Sequence, residues 1–224
     1  MKGARGAWLP CALLTAAPAF GAGGAHVVDD AAVETPGDCH VETWVSATSD
    51  GGLVNVTPGC TRTAWPNLEM GGLVTHGWSA GEQDTVAGLS SKLVLRPEQR
   101  GLGIGLSGSL GFGLDRGRFE TASLIMPLTI PAGHILRFNV DAGWQWSRAT
   151  DAHDLFAGGQ VEIRISAGLG LMAETFGRSR GKMGGQTGLR WTVAGGRVDL
   201  DLLAGRYLDG ATPNAVTFGV TVRR

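Results

Sequence analysis

No stretch of this chain holds eighteen consecutive apolar residues, which excludes a membrane-spanning helix. Charge is scarce as well: 19 Lys and Arg stand against 20 Asp and Glu, together 17% of 224 residues. A nucleic-acid binder carries a basic excess and a disordered chain a strong net charge, and the formal net charge here is −1. Cysteine is rare, with 3 residues, so a disulfide-dense scaffold is excluded. What the chain has in plenty is glycine, 37 residues against 9 prolines. That balance suits a sheet whose concave face needs small side chains.

The beginning reads as an export signal over residues 1–25. Lys2 and Arg5 form a basic start, and Ala7 to Phe20 is an apolar core too short to span as a helix. Small residues follow, so cleavage is expected between Ala19 and Ala25, and Cys11 leaves with the signal. Residues 26–38 carry Asp29, Asp30, Glu34 and Asp38 without a ligand-like spacing. They are expected to form a solvated periplasmic tail and to hold no metal.

The rest alternates. Leu102, Ile104, Leu106, Leu110, Phe112 and Leu114 share one parity; Gly103, Gly105, Ser107, Ser109, Gly111 and Gly113 share the other. A period of two over such a length is a strand with one oily and one bare face. The same pattern predicts strands near 67–78, 84–96, 118–130, 134–146, 154–165, 169–177, 184–194, 197–206 and 214–223. Two more, near 40–47 and 52–59, flank the turn cluster Thr48-Ser49-Asp50-Gly51. The count is twelve. An antiparallel transmembrane β-barrel over residues 39–224 is therefore expected, the alternative being ten strands with the first hairpin outside. Short turns at 97–101, 131–133, 166–168 and 195–196 alternate with longer, charged connectors at 147–153, 177–182 and 207–213. That alternation suggests periplasmic turns and outer loops.

The faces follow from cost. Leu136, Phe138, Val140 and Trp144 share one parity, Arg137, Asn139 and Asp141 the other. An Arg facing mid-bilayer costs about 2–4 kcal/mol, so the apolar set turns outward. The same argument turns Glu42, Glu69, Lys92, Asp141, Glu162, Arg164, Glu174, Arg190, Asp199 and Asp201 inward with Arg137. Seven acids against four bases give the lumen a slight preference for cations. The tight turn at Gly195-Gly196 sets Arg190 opposite Asp201 and Thr192 opposite Asp199. Trp78, Trp146 and Tyr207 fall near the loop ends, where an interfacial aromatic belt belongs. With Cys11 removed, Cys39 and Cys60 remain, and one hairpin register pairs Cys39 with Cys60, Thr43 with Val56 and Val45 with Val54.

These features resemble the small outer-membrane β-barrel proteins of Gram-negative bacteria, over nearly all of the mature chain and by pattern instead of motif. The resemblance implies outer-membrane lipids, the assembly machinery and possible small solutes as partners, and no nucleic acid. One departure is the end, Val222-Arg223-Arg224, where such proteins commonly close on an aromatic residue. No histidine of the mature chain is placed to activate a serine: His26, His40, His134 and His153 lie before the barrel or at turns, and His76 faces the bilayer edge. Neither catalysis nor a cofactor is expected. The pattern points to a passive channel or small-solute transporter, with a non-conducting structural or loop-displaying barrel as the alternative.

Overall fold

The computed structural model describes residues 24–224; the export signal falls almost wholly outside them. Twelve strands run in chain order: β1 (Cys39–Thr48), β2 (Gly51–Thr61), β3 (Leu68–Ser79), β4 (Glu82–Arg96), β5 (Gly103–Gly113) and β6 (Arg118–Ala132) make the first half. The second half is β7 (Leu136–Ser147), β8 (Ala152–Arg164), β9 (Leu169–Arg178), β10 (Gly184–Val193), β11 (Val198–Arg206) and β12 (Ala215–Arg223). Each strand pairs antiparallel with its sequence neighbours, and β12 closes on β1, His40 opposite Arg223 through Thr48 opposite Ala215. The barrel is closed. Closure removes the edges that an open sheet would leave unpaired. It also rules out the ten-stranded arrangement, because β1 and β2 are wall strands bonded on both sides.

The hairpin register is the one that the turn cluster and the cysteines imply: Cys39 opposite Cys60, Thr43 opposite Val56, Val45 opposite Val54. Cys39 and Cys60 are disulfide-bonded. Connector length, by contrast, does not separate the two ends. The loop-end connectors 49–50 and 80–81 are minimal, whereas 97–102 at the end bearing the C-terminus is longer and carries a short 3₁₀ turn, Glu98–Arg100. A two-residue hairpin matches strand twist at either end of a barrel, so length alone does not mark a side.

Outside, the wall is apolar. Leu155 is 71% and Leu89 67% exposed, and Trp191, Leu202, Phe218, Leu110 and Leu124 are exposed with them. Water does not tolerate so continuous an oily girdle on a monomer; hydrocarbon does. Inside, the buried residues are largely polar, including Thr129, Asn139, Gln160, Thr217 and Thr221.

The interior also holds a segment of the chain itself. Residues 24–36 thread the lumen, whereas residues 26–38 are expected as a solvated tail; Val28 is wholly buried, and Ala31 and Asp30 are each 2% exposed. The correction has a physical cause. Val28 packs against the inward-facing Phe156 and Phe176, and the segment's acids find cations on the wall that water would otherwise have to solvate.

Candidate functional site

The strap, residues 24–36, and the wall around it form one polar network. Its backbone N–H groups donate to inward side chains: Gly24 to Glu42 Oε2 at 2.9 Å, Val27 and Val28 to the two oxygens of Glu174 at 2.9 and 3.1 Å. Asp29 donates to Asp141 Oδ2 at 2.9 Å, Ala31 to Thr129 Oγ1 at 2.9 Å and Glu34 to Glu69 Oε2 at 3.0 Å. An irregular segment inside a barrel has no ladder partner, so side chains must satisfy its backbone. Carboxylates do so strongly.

The strap's own acids meet wall cations. Asp29 lies 2.6 Å from Lys92 Nζ on β4, Asp30 3.0 Å from Arg137 Nη2 on β7, and Glu34 2.7 Å from Arg223 Nε on β12. Two of these cations hold wall acids as well: Arg137 Nη2 is 2.9 Å from Glu98 and Nη1 3.5 Å from Glu162, and Arg223 Nη1 is 2.7 Å from Asp199. His26, fully enclosed, sits 3.7 Å from Glu174 and 3.9 Å from Asp201.

The remaining inward residues complete the lattice. Arg190 grips Asp201 with two bonds, Nε to Oδ1 at 2.7 Å and Nη2 to Oδ2 at 2.8 Å. Thr192 donates to Asp199 at 2.6 Å in the register of the β10–β11 hairpin. Glu162 accepts from Asn139 Nδ2, and Glu174 from Gln160 at 3.1 Å and Gln186 at 2.6 Å. Arg164 lies at the end of β8, opposite Gly170, and lines a cavity of about 290 Å³. A larger cavity of about 760 Å³ lies beside the strap, its lining reaching from Arg197 and Arg224 to Gln145 and Phe156. Among the described residues no three His, Cys, Asp or Glu gather as a metal site. His76 shares a hydrogen bond with Thr85 Oγ1 at 3.0 Å, and His153 stacks on Trp144.

Several members of this network carry no weight in a strand-by-strand reading of the sequence. Arg223 has the parity of Thr217 and Thr221 and could have been counted inward from that alone. Asp29, Asp30 and Glu34 had one signal, the Val27-Val28 pair beside them, which a solvated tail does not need. Glu98 had none: it lies on a turn and reaches Arg137 only through the fold.

A family model described as "Uncharacterised conserved protein UCP029691" matches residues 11–224. The chain belongs to that family. A search of curated proteins finds no match. Among solved structures the barrel is similar to "KdgM porin", with a TM-score of 0.65 at 9% identity, covering 82% of this chain and 98% of that one. It is also similar to "KdgM porin in complex with disordered oligogalacturonate", with a TM-score of 0.65 at 10% identity and the same coverage. A third neighbour is "NanC porin structure in rhombohedral crystal form", TM-score 0.60 at 8% identity, again covering 82% and 98%. At such identities the likeness is one of fold.

Proposed function

We propose that this protein is an outer-membrane barrel, exported through the signal over residues 1–25, that acts as a passive channel for small hydrophilic solutes. The observation that carries this reading is the cavity of about 760 Å³, lined in part by charged side chains such as Asp29, Glu42, Lys92 and Arg223, inside a closed, outwardly apolar barrel. A barrel that only stiffened a membrane would gain from a dry, filled interior, since unpaired polar groups in a narrow lumen are costly. Here charged and apolar side chains together surround open space instead. The fold shared with two porins supports the same reading. The charged groups of the lining can carry water and ions, so the role proposed is transport.

A second reading has one observation in its favour: the strap occupies part of the lumen and is ion-paired to three strands. On that view the barrel is structural and does not conduct. Single-channel recording of the purified protein in a planar lipid bilayer separates the two. The channel reading expects discrete conductance steps. Refolded, heat-modifiable protein that passes no current under any applied voltage would overturn it.

A further inference from the structure

The strap is held in a way that a permanent plug does not require. Its apolar anchorage is small, chiefly Val28 against Phe156 and Phe176 with Val27 beside them. Apart from two small buried side chains, Ala25 and Ala31, the rest is hydrogen bonding and charge, which water replaces at little net cost in a wet lumen. A stable plug in a membrane barrel gains most from apolar packing. This one gains from contacts that exchange.

The wall is also prepared for the strap's absence. Each cation that the strap engages has an acid of the wall within reach. Arg137 already touches Glu98 and Glu162, and Arg223 already touches Asp199. Lys92 stands directly opposite Glu69 across the β3–β4 pair. Breaking a buried ion pair is severe when it orphans a charge, and release here orphans none of these three cations. The strap joins the wall at Pro36-Gly37. Gly37 has φ +105°, its N–H donates to Thr61 O at 2.7 Å, and β1 begins two residues later. Glycine alone adopts that conformation without strain, and the bond to Thr61 fixes the base about which the free part can turn.

We infer that residues 26–36, the part of the strap left once the signal is removed, are a displaceable gate, lodged across the solute path by Asp29, Asp30 and Glu34 and released as a unit about Pro36-Gly37. The inference rests on the channel reading and adds its regulation: two arrangements of one segment, in each of which every wall cation keeps a partner.

A reversible tether tests it. A Cβ built at Gly103 lies 3.3 Å from the Cβ of Ala31, a few tenths of an ångström inside the spacing of bonded cysteines, so a small shift of the strap admits the bond. The variant carrying Ala31→Cys and Gly103→Cys is oxidised, checked for its heat-modifiable folded band, and recorded in a planar bilayer with and without reductant. Wild-type protein in the same reductant controls for the Cys39–Cys60 bond. The gate predicts that wild type moves between a low and a high conductance level, that the oxidised tether loses at least tenfold of the high-level occupancy, and that reductant restores it. Lys92→Gln with Arg137→Gln, which leaves the backbone bonds alone, should raise high-level occupancy several-fold. An oxidised tether that visits the high level as often as wild type overturns the gate, since solute then passes beside a fixed strap. Absence of current in every folded variant, the reduced tether included, instead overturns the channel reading and the gate with it.

Discussion

Arg190 and Asp201 meet with 2% and 1% of their side chains exposed, so their bond is insulated from the screening that weakens surface pairs. Both ends of the guanidinium fork are used, a geometry that lysine does not reproduce. Arg190→Ala leaves Asp201 with His26 at 3.9 Å as its nearest basic group. The expected loss is about 3 kcal/mol, at the low end for a broken buried pair because the lumen admits water. Arg190→Leu combined with Asp201→Leu should recover most of it by removing the stranded charge. The temperature at which the folded band converts to the unfolded one on an unboiled gel reads both effects; equal, additive losses in the single variants would show that the residues act independently. The pair was legible before folding, since a tight turn and a parity suffice to set two cross-strand neighbours. Glu98 with Arg137 was not, because a turn residue carries no parity.

At the scale of the element, the β1–β2 hairpin is fastened twice, by its disulfide and by the β1–β12 seam. Closing a loop of some twenty residues stabilises by up to about 3 kcal/mol in the chain-entropy model, and the seam already restrains β1, so less is expected here. Cys39→Ser should therefore lower thermal stability without opening the barrel. Thiol titration of mature, denatured, unreduced protein should find no free thiol, and two thiols per chain would refute the bond. Glycine in the wall has its own element-scale role. A Cβ at Gly88 on β4 would overlap the Leu110 carbonyl of β5, whereas one at Gly159 on β8 meets nothing within 4 Å. Gly88→Val should abolish the folded band and Gly159→Ala leave it intact, because only the first forces neighbouring strands apart. Strand positions came through in the sequence to within two residues, but the end to which each connector belongs did not follow from its length.

For the whole molecule, the decisive property is an inverted surface: oil outside, polar groups within. A water-soluble protein cannot present it, and a closed β-barrel in hydrocarbon must, since each backbone group is then paired and each charge faces inward. Mature protein is expected to sediment with outer membranes and to migrate faster unboiled than boiled. Recovery in the soluble periplasm would contradict the proposed location. The strap belongs to this scale too. It touches strands from most of the circumference, from Glu42 on β1 to Glu174 on β9, so its stability and that of the closed wall should rise and fall together.

By itself the sequence determined the wall. A period of two leaves a strand only one way to face hydrocarbon, and the turn clusters between strands leave neighbours little freedom of register; Leu106, Leu110 and Phe112 are outward for that reason alone. The cysteine pairing followed from the same local register. Only the tertiary structure decided what fills the barrel. Asp29, Asp30 and Glu34 have no periodicity, and their partners on β4, β7 and β12 lie as far as 189 residues away along the chain. Nothing local distinguishes an acidic segment in solvent from one lodged in a lumen. The difference appears only when closure brings Lys92, Arg137 and Arg223 to face one interior, where the strap's acids add counter-charge to that of the wall.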